Sequence, residues 1–449
     1  MYFILEAVLI SGVAFVRYRA ALVLFVFLLA LSPRSTSVAI GSAGLAFSFT
    51  RYALLLILGL LVAKLMMRPG LWRRAKQVLF RERATVILVV LVNLKLASSL
   101  HATGARSLPY IFDDLSITLL CFFIFFVFTK TYSDFRKILV AISVSVLLSG
   151  LLSMIEFPLA KPLVTFIASG AVAGSDDVLT GIMRDSSYRL QALFDNPLLL
   201  AEFTVLATPL VLYLFYTTTG ISRIALGVTA LAAAALLLGT GSRAGLMLYL
   251  LEIPAIFVLS RRGSYGFLLK SLAFSLLLIA VGVALYSGFD SFVSLAHEGK
   301  TGNFWLYDDR ERSTIERASQ YLIVFEQMKN NPLFGFGVRQ SLHNELEFLN
   351  RLDSYWLRLL LEAGIFAPLL FIAFAIAAIR RVVRSDLAEF QNPALLRASL
   401  LVFIVMFLAL KLFISIPSNN IYFFIVIGAF FGATQKSNKV WSDAHPACP

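Results

Sequence analysis

Long apolar runs recur along almost the whole chain, and short polar connections separate them. A membrane-spanning helix needs ~20 mostly apolar residues, and a helix satisfies all its backbone polar groups within one segment. The pattern therefore predicts an all-α polytopic membrane bundle of twelve or thirteen transmembrane helices, the first two short enough to form a tilted or re-entrant pair. The runs lie near residues 2–16, 20–33, 50–67, 84–100, 113–130, 137–156, 198–216, 223–240, 243–260, 266–287, 353–379, 395–414 and 420–435.

One polar segment, 287–352, is far longer than the other connections. It divides the chain into N-terminal helices (1–286, with a second loop near 157–197), the large loop itself, C-terminal helices (353–435) and a tail (436–449). The spacing of apolar residues over Thr314–Lys329 predicts an amphipathic helix lying over a site. Its candidate packing residues are Ile315, Ala318, Leu322, Val324 and Phe325.

Lys and Arg are concentrated in every second connection, as orientation signals are. The positive-inside rule therefore makes the tail cytoplasmic and both long loops periplasmic, and the N-terminus lies outside if the first run spans the membrane. The basic connections are 68–83, 130–137, 223, 261–262, 380–384 and 436–439. The alternate set is 101–112, 157–197, 241–243, 288–352 and 417–420.

Composition and motifs narrow the function classes. The chain is 59% hydrophobic and 14% charged, and its net charge of +13 is spread over short loops. A nucleic-acid partner is not expected, because that would need a basic face on a soluble domain. Cys121 and Cys448 show no metal-type spacing, and phosphate-loop, zinc-protease and serine-hydrolase motifs are absent from the sequence. We expect no cofactor or metal, so an activated substrate or a gradient would supply the energy.

Two arginines are placed to meet an anionic substrate at the outer membrane face. Arg189 precedes a long apolar helix, and Arg243 lies in a tight turn, Gly239–Gly245, between two others. Arginine presents a planar fork of donors that suits phosphate oxygens and stays charged. Together the two side chains would suit a pyrophosphate-lipid head group. The alternative is that each arginine only anchors a helix end at the interface.

Asp353 opens the helix that follows the large loop. As a carboxylate at the lipid–water boundary it would accept a proton from a sugar hydroxyl, whereas the alternative is simple N-terminal capping. His343, ten residues earlier, would play the same role if it is more than a solvated loop residue. The further candidate substrate contacts are Trp305, Arg339, His343, Asn344 and Tyr355.

Several ionisable residues fall inside apolar runs, among them Lys95, Glu252, Arg358, Glu362 and Lys411. Charges at this depth are costly and indicate a cavity or a pair. Arg358 and Glu362 are four apart on one helix, so we expect a structural ion pair. Asp353 and Glu362 are nine apart, which places them on opposite helix faces rather than as a paired acid and base.

Four sequence elements in this order resemble the O-antigen ligase and Wzy-type polymerase superfamily of bacterial envelope glycosyltransferases. The resemblance is best over 185–380. The elements are Arg189–Pro197 with Ala201, Thr240–Gly245, Asn331–Gly337 (Asn-Pro-Leu-Phe-Gly-Phe-Gly), and Asp353–Leu357 running to Glu362-Ala363-Gly364-Ile365.

The resemblance implies an all-helical enzyme that transfers a glycan from undecaprenyl pyrophosphate in the periplasm without metal or nucleotide. Arg189 and Arg243 would hold the pyrophosphate and stabilise it as leaving group, and Asp353 would orient or deprotonate the acceptor hydroxyl. Ligases to lipid A core carry His-Asn where this chain has Asp353-Ser354, and His343-Asn344 lies ten residues too early. The Asp-Ser-Tyr-Trp form is similar to exopolysaccharide and capsule polymerases.

We therefore predict a repeat-unit polymerase in the bacterial inner membrane, with lipid-linked glycan as both donor and acceptor and a chain-length regulator as a further partner. The alternative within the family is a ligase that transfers glycan to lipid A core or another acceptor. A flippase or transporter is the alternative from another class. A transporter would show interrupted helices with charges converging at mid-membrane, whereas a transferase would gather Arg189, Arg243 and Asp353 at one outer face.

Overall fold

A computed structural model describes residues 2–32, 37–40, 45–103, 108–159, 161–167, 183–184, 187–260, 309–337, 352, 354–414 and 419–435. Several predictions lie outside these residues. They concern Trp305, Arg339, His343, Asn344, Asp353, the apolar run 266–287 and the tail 436–449.

Helices make up most of the described chain. Those before residue 170 are α1 (Tyr2–Val16), α2 (Tyr18–Leu29), α3 (Phe49–Met67), α4 (Pro69–Arg81), α5 (Arg83–Thr103), α6 (Leu108–Leu115), α7 (Cys121–Phe128), α8 (Tyr132–Leu159) and α9 (Val164–Ile167). The later ones are α10 (Pro197–Thr217), α11 (Ile221–Thr240), α12 (Arg243–Ser260), α13 (Asp309–Met328), α14 (Tyr355–Ala363), α15 (Phe366–Arg384), α16 (Pro393–Leu410) and α17 (Asn420–Thr434).

The remaining regular structure is short. A π-helical stretch, Ser116–Leu120, joins α6 to α7. Two antiparallel hairpins pair β1 (Ser37–Ile40) with β2 (Leu45–Ser48) and β3 (Met183–Arg184) with β4 (Ser187–Tyr188).

The all-α polytopic class is confirmed. Eight helices among the described residues are long and apolar enough to cross a membrane, and four shorter apolar helices accompany them. Most predicted runs coincide with helices to within a few residues, and the run 243–260 coincides with α12. The basic connection 68–83, predicted as a loop, instead contains the helix α4. Its exposed Trp72 and Phe80 and its basic residues are typical of a helix lying in the membrane interface.

The single transmembrane run predicted over 353–379 is wrong. The chain breaks at Gly364, where φ is 72°, into α14 and α15. The ring of Trp356 lies 5.6 Å from that of Phe371, although fifteen residues of continuous helix would separate them by about 22 Å. Helix α14 therefore folds back along α15 as a helical hairpin.

Close packing of small residues brings helices together in the core. A Cβ on Gly428 of α17 would meet the carbonyl oxygen of Phe122 in α7 at 2.5 Å, and Gly432 lies equally close to Phe126. Glycines four apart on one face let two membrane helices approach closely. Arg74 of α4 then donates to the carbonyl oxygens of Phe126, Thr129 and Gly432 at 3.0–3.1 Å, so that α4 caps the ends of both helices.

The ends of the helices mark one pole of the bundle, which we call the basic end. It comprises α4, the start of α8, the end of α10 and the end of α15. Arg136 of α8 donates to Thr218, just after α10, at 3.1 Å, and Tyr213 donates to the carbonyl oxygen of Gln391 at 2.9 Å. These contacts join connections that the positive-inside rule assigns to the cytoplasm.

Candidate functional site

The segment carrying Arg189 is held by a carboxylate at the far end of α8. Glu156 accepts hydrogen bonds from the Tyr188 hydroxyl at 2.5 Å and from the backbone N–H groups of Gln191 and Ala192 at 3.1 and 2.6 Å. Burial, and then the hydrogen bond to Glu156, raise the pKa of Tyr188, so its hydroxyl stays a donor. Ala192 adopts a left-handed φ of 50°, a conformation that costs about 1–2 kcal/mol in a non-glycine residue. Glu156 therefore holds the side chain of the residue before Arg189 and the backbone of the residues after it.

Arg189 contacts the turn between α11 and α12. Its Nε donates to the carbonyl oxygen of Thr240 at 2.7 Å, and the adjacent Leu190 N–H donates to that of Gly239 at 2.9 Å. Gly241 ends α11 with a left-handed φ of 62°. The Ser242 hydroxyl accepts from the Gly245 N–H at 3.2 Å, and Arg243 begins α12 with an exposed side chain.

We call Arg189, Arg243 and the Gly239–Ser242 turn between them the arginine site. The sequence prediction of a hairpin that brings two helix ends together is confirmed here. The unpaired backbone N–H groups and dipole of a helix N-terminus favour anions. The start of α12 and its Arg243 thus add positive potential to the same turn that Arg189 contacts.

The start of α10 packs against this turn. Asn196 caps α10 by accepting from the Leu198 N–H at 2.8 Å, and Pro197 occupies the first helical position. One turn later, Ala201 lies 3.4 Å from where a Cβ on Gly245 would be. Small residues at both positions therefore let α10 and α12 cross closely at the arginine site.

A buried ion pair connects this crossing to the start of α14. Glu202 directly follows Ala201 in the sequence. Its Oε1 lies 2.5 Å from Lys411 Nζ, and both side chains are fully buried. Asn419 Nδ2 also donates to Glu202, at 3.2 Å. The Lys411 carbonyl oxygen accepts from the Tyr355 N–H at 2.9 Å. Residues 354 and 355, which follow Asp353 in sequence, therefore lie at the same end of the bundle as the arginine site.

The Asn331–Gly337 motif clamps the break between α14 and α15. The N–H groups of Phe336 and Gly337 donate to the carbonyl oxygens of Leu361 and Glu362 at 2.8 and 2.9 Å. Ile365 N–H donates back to Pro332 at 3.0 Å. These contacts are backbone to backbone, and the Asn331 side chain also donates to the Gly335 carbonyl oxygen, so the described part of the motif holds the break between α14 and α15 in place.

Four charged residues cluster beside this break. Arg358 Nε lies 2.8 Å from Glu362 Oε1, which confirms the predicted i,i+4 ion pair. Lys95 Nζ lies 2.8 Å from Asp114 Oδ2 and 3.4 Å from Glu362 Oε2, so Lys95 links this ion pair to Asp114. Lys95 lies about 18 Å along α5 from its basic end. The cluster therefore sits past the middle of the span, and its charges compensate one another.

The described candidate residues have distinct surroundings. Arg189 is half-buried and Arg243 is exposed. Tyr355, predicted to contact substrate, is only 2% exposed and packs on Phe371 at 5.8 Å, so the structure gives its ring a core position. Among the described residues, no group of three or more His, Cys, Asp or Glu side chains could hold a metal ion.

The predicted amphipathic helix over 314–329 exists as the last four turns of α13. Val324 is buried against Leu357, Leu360 and Leu361 of α14, as predicted. Phe325 is 57% exposed, so its predicted packing role is wrong. The side chains of Ile315 and Ala318 lie outside those described.

Glu156, Asp114 and Glu202 did not emerge from the sequence as part of this region. Each is an acid inside or at the edge of an apolar run, so the cost of burying a charge could have marked all three. Which partner each acid meets depends on helix packing, which the sequence pattern does not specify.

Residues 228–372 match the family model described as O-antigen ligase. The matched region is similar to the O-antigen ligase family and covers about a third of the chain. The match supports the O-antigen ligase and Wzy-type superfamily, and with it a membrane glycan-processing enzyme of ligase or polymerase type. No curated protein matches the chain significantly. The matched region includes Arg243, the Asn331–Gly337 motif and Gly364, whereas Arg189 and Glu156 precede it.

Proposed function

We propose that this protein polymerises lipid-pyrophosphate-linked oligosaccharide repeat units at the periplasmic face of the inner membrane. The observation that carries the proposal is the arginine site, where Arg189 is bonded to the same turn from which Arg243 emerges. Undecaprenyl pyrophosphate is the donor lipid implied by the family resemblance. Its pyrophosphate would meet two guanidinium groups and a helix N-terminus together.

In the proposed reaction, the acceptor sugar hydroxyl attacks the anomeric carbon of the donor glycan. The bond from that carbon to the pyrophosphate oxygen breaks, and the pyrophosphate leaves with the electron pair. Charge then accumulates on phosphate oxygens, where preorganised cations stabilise the transition state most. Arg189 has its Nε fixed by Thr240, which supports its assignment as one of these cations.

Asp353 is the proposed general base. It follows the large loop and precedes Ser354, whose neighbour Tyr355 is tied through Lys411 to the arginine-site end of the bundle. Its carboxylate would accept the proton that the acceptor hydroxyl loses. Trp305, Arg339, His343 and Asn344 are proposed to contact the sugars, since planar and hydrogen-bonding side chains suit carbohydrate.

The test uses purified protein in nanodiscs with a lipid-pyrophosphate-linked repeat unit, chelator and no nucleotide. Wild type should produce a ladder of longer glycans. Arg243→Ala should slow transfer about 100-fold, because loss of one transition-state donor costs ~10²–10³ in kcat, and Asp353→Asn should abolish the ladder. Arg380→Ala, an exposed arginine at the basic end, is the matched control and should leave transfer unchanged.

The two alternatives give different results in the same assay. Transfer only after lipid A core is added would identify a ligase. Movement of the lipid-linked glycan across the membrane without any new glycosidic bond would identify a flippase. One observation favours a flippase: the charged cluster around Lys95 lies beside the helix break at Gly364. Transporters use discontinuous helices near buried charges.

A further inference from the structure

A groove of about 1140 Å³ opens at the basic end, the pole opposite to the arginine site. Its walls come from α1, α2 and α8, with the last turn of α3 at its mouth. Pockets for drug-sized ligands occupy ~300–1,000 Å³. The groove therefore has room for a molecule larger than a typical metabolite.

The mouth of the groove is strongly cationic. Asp134 is the one acid among its lining residues, and it lies 3.7 Å from Arg19. Nearby, burial lowers the pKa of Lys130, and the charge of Arg74 lowers it further. The basic residues lining the mouth are Arg17, Arg19, Lys64, Arg136 and Lys137.

The body of the groove is apolar. From Arg19 to Phe27 on α2, and from Arg136 to Val144 on α8, the lining runs about 12 Å inward. One leaflet of the hydrocarbon core is about 15 Å deep, half of ~30 Å. The apolar wall is thus nearly as long as one leaflet, and Val144 is 40% exposed within it.

We propose that this groove binds an anionic phospholipid, with the phosphate among Arg17, Arg19 and Lys137 and an acyl chain between α2 and α8. Charge complementarity selects this occupant: five cations face one carboxylate at the mouth, and the apolar wall begins immediately behind them. A zwitterionic lipid would leave that excess positive charge uncompensated. The site is separate from the proposed catalytic chemistry and would hold the α1–α2 hairpin against α8.

The contribution of positive charge to lipid binding can be tested by removing two cations that make none of the side-chain contacts described above. Arg17 and Lys137 are exposed, so Arg17→Gln/Lys137→Gln leaves the Arg19–Asp134 pair and the Arg136–Thr218 hydrogen bond in place. Each basic residue near an anionic lipid surface strengthens binding about fivefold. The double variant should therefore weaken binding of anionic lipid about 25-fold.

Native mass spectrometry of the full-length protein, titrated with phosphatidylglycerol or phosphatidylcholine of identical acyl chains, tests the proposal. Phosphatidylglycerol should bind more tightly, and the Arg17→Gln/Lys137→Gln variant should lose that preference. Val144→Trp, which fills the groove but keeps its charges, should lower binding independently. Arg380→Gln/Arg384→Gln removes two exposed cations from the basic end on α15 and should bind as wild type does.

Equal binding of the two lipids to wild type would overturn the proposal. So would an equal loss in the α15 control, because the effect would then come from net charge rather than the groove. If the Arg17→Gln/Lys137→Gln protein is not monodisperse, Val144→Trp decides the question. Undiminished phosphatidylglycerol binding by that variant would contradict an acyl chain in the groove.

Discussion

At the residue scale, Glu156 shows how one side chain can position another, Arg189, that is proposed to bind substrate. Its two carboxylate oxygens accept three hydrogen bonds from the residues on either side of Arg189. A buried donor without an acceptor costs about 1–3 kcal/mol. The orientation of Arg189 therefore depends on a residue that lies some thirty positions earlier in the chain.

Replacing Glu156 should show whether this carboxylate positions Arg189 for glycan transfer or only stabilises the fold. We expect Glu156→Ala to lower glycan transfer up to about 100-fold, the effect of displacing a catalytic group by ~1 Å. Glu156→Gln keeps one carbonyl acceptor and should retain more activity. The measurement is kcat for ladder formation beside thermal stability in the same detergent.

The exposed carboxylate Glu389 at the opposite pole provides the control, as Glu389→Gln. That variant should match wild type in both measurements. A fully active Glu156→Ala protein would show that the Tyr188–Ala192 segment keeps its conformation without this carboxylate. The positioning role would then be wrong.

A contact within one helix could be predicted from the sequence, but the contacts between helices could not. The spacing of Arg358 and Glu362 fixes their contact on one helix, and the structure contains it. Lys95 and Lys411 stood out as buried cations, yet Asp114 and Glu202 join them from other helices. Pairing between helices depends on their packing and rotation, which local spacing does not encode.

At the element scale, the hairpin of α14 and α15 depends on two glycines that face each other. Gly364 has φ 72° and ψ −172°, a region that is essentially restricted to glycine. Gly335 has φ 67°, and a Cβ there would lie 2.5 Å from the Leu361 carbonyl oxygen. The apolar composition of 353–379 hid this break because hydropathy does not report backbone conformation.

Gly364→Ala should destabilise the protein by more than about 1 kcal/mol, because alanine fits neither the dihedral angles nor the space. Gly59→Ala is the matched control, since a Cβ at Gly59 in α3 meets nothing within 4 Å. Apparent melting temperatures in one detergent compare the two. A Gly364→Ala protein as stable as wild type would mean that the Asn331–Gly337 clamp can shift at little cost.

The ion pair between α10 and α16 provides a second test at this scale. Removing one partner of a buried pair costs about 3–5 kcal/mol, whereas replacing both can be neutral. Lys411→Met alone should therefore be strongly destabilising, and Glu202→Gln/Lys411→Met should recover most of the loss. A thermal double-mutant cycle measures the coupling, and additive single and double effects would contradict a direct pair.

At the scale of the whole molecule, the sequence specified the architecture well. Runs of apolar residues marked the helices, because a spanning helix must satisfy its own backbone. The predictions were wrong for elements whose hydrophobicity does not distinguish a membrane span from another kind of segment. Helix α4 is amphipathic and reads as a basic connection, whereas α14 is apolar but only nine residues long. Both lie at an end of the bundle, where hydropathy no longer distinguishes a span from a surface helix.

The two ends of the bundle should face opposite sides of the membrane. Arg243 lies at one end, and Arg380 lies at the basic end that the positive-inside rule assigns to the cytoplasm. In a Cys121→Ser/Cys448→Ser background, Arg243→Cys should react with a membrane-impermeant maleimide applied to spheroplasts. Arg380→Cys should react only after the membrane is lysed. The reverse pattern would place the arginine site in the cytoplasm, where a periplasmic polymerase could not use it. If neither cysteine variant is labelled in intact spheroplasts, lipid or protein covers the turn that carries residue 243.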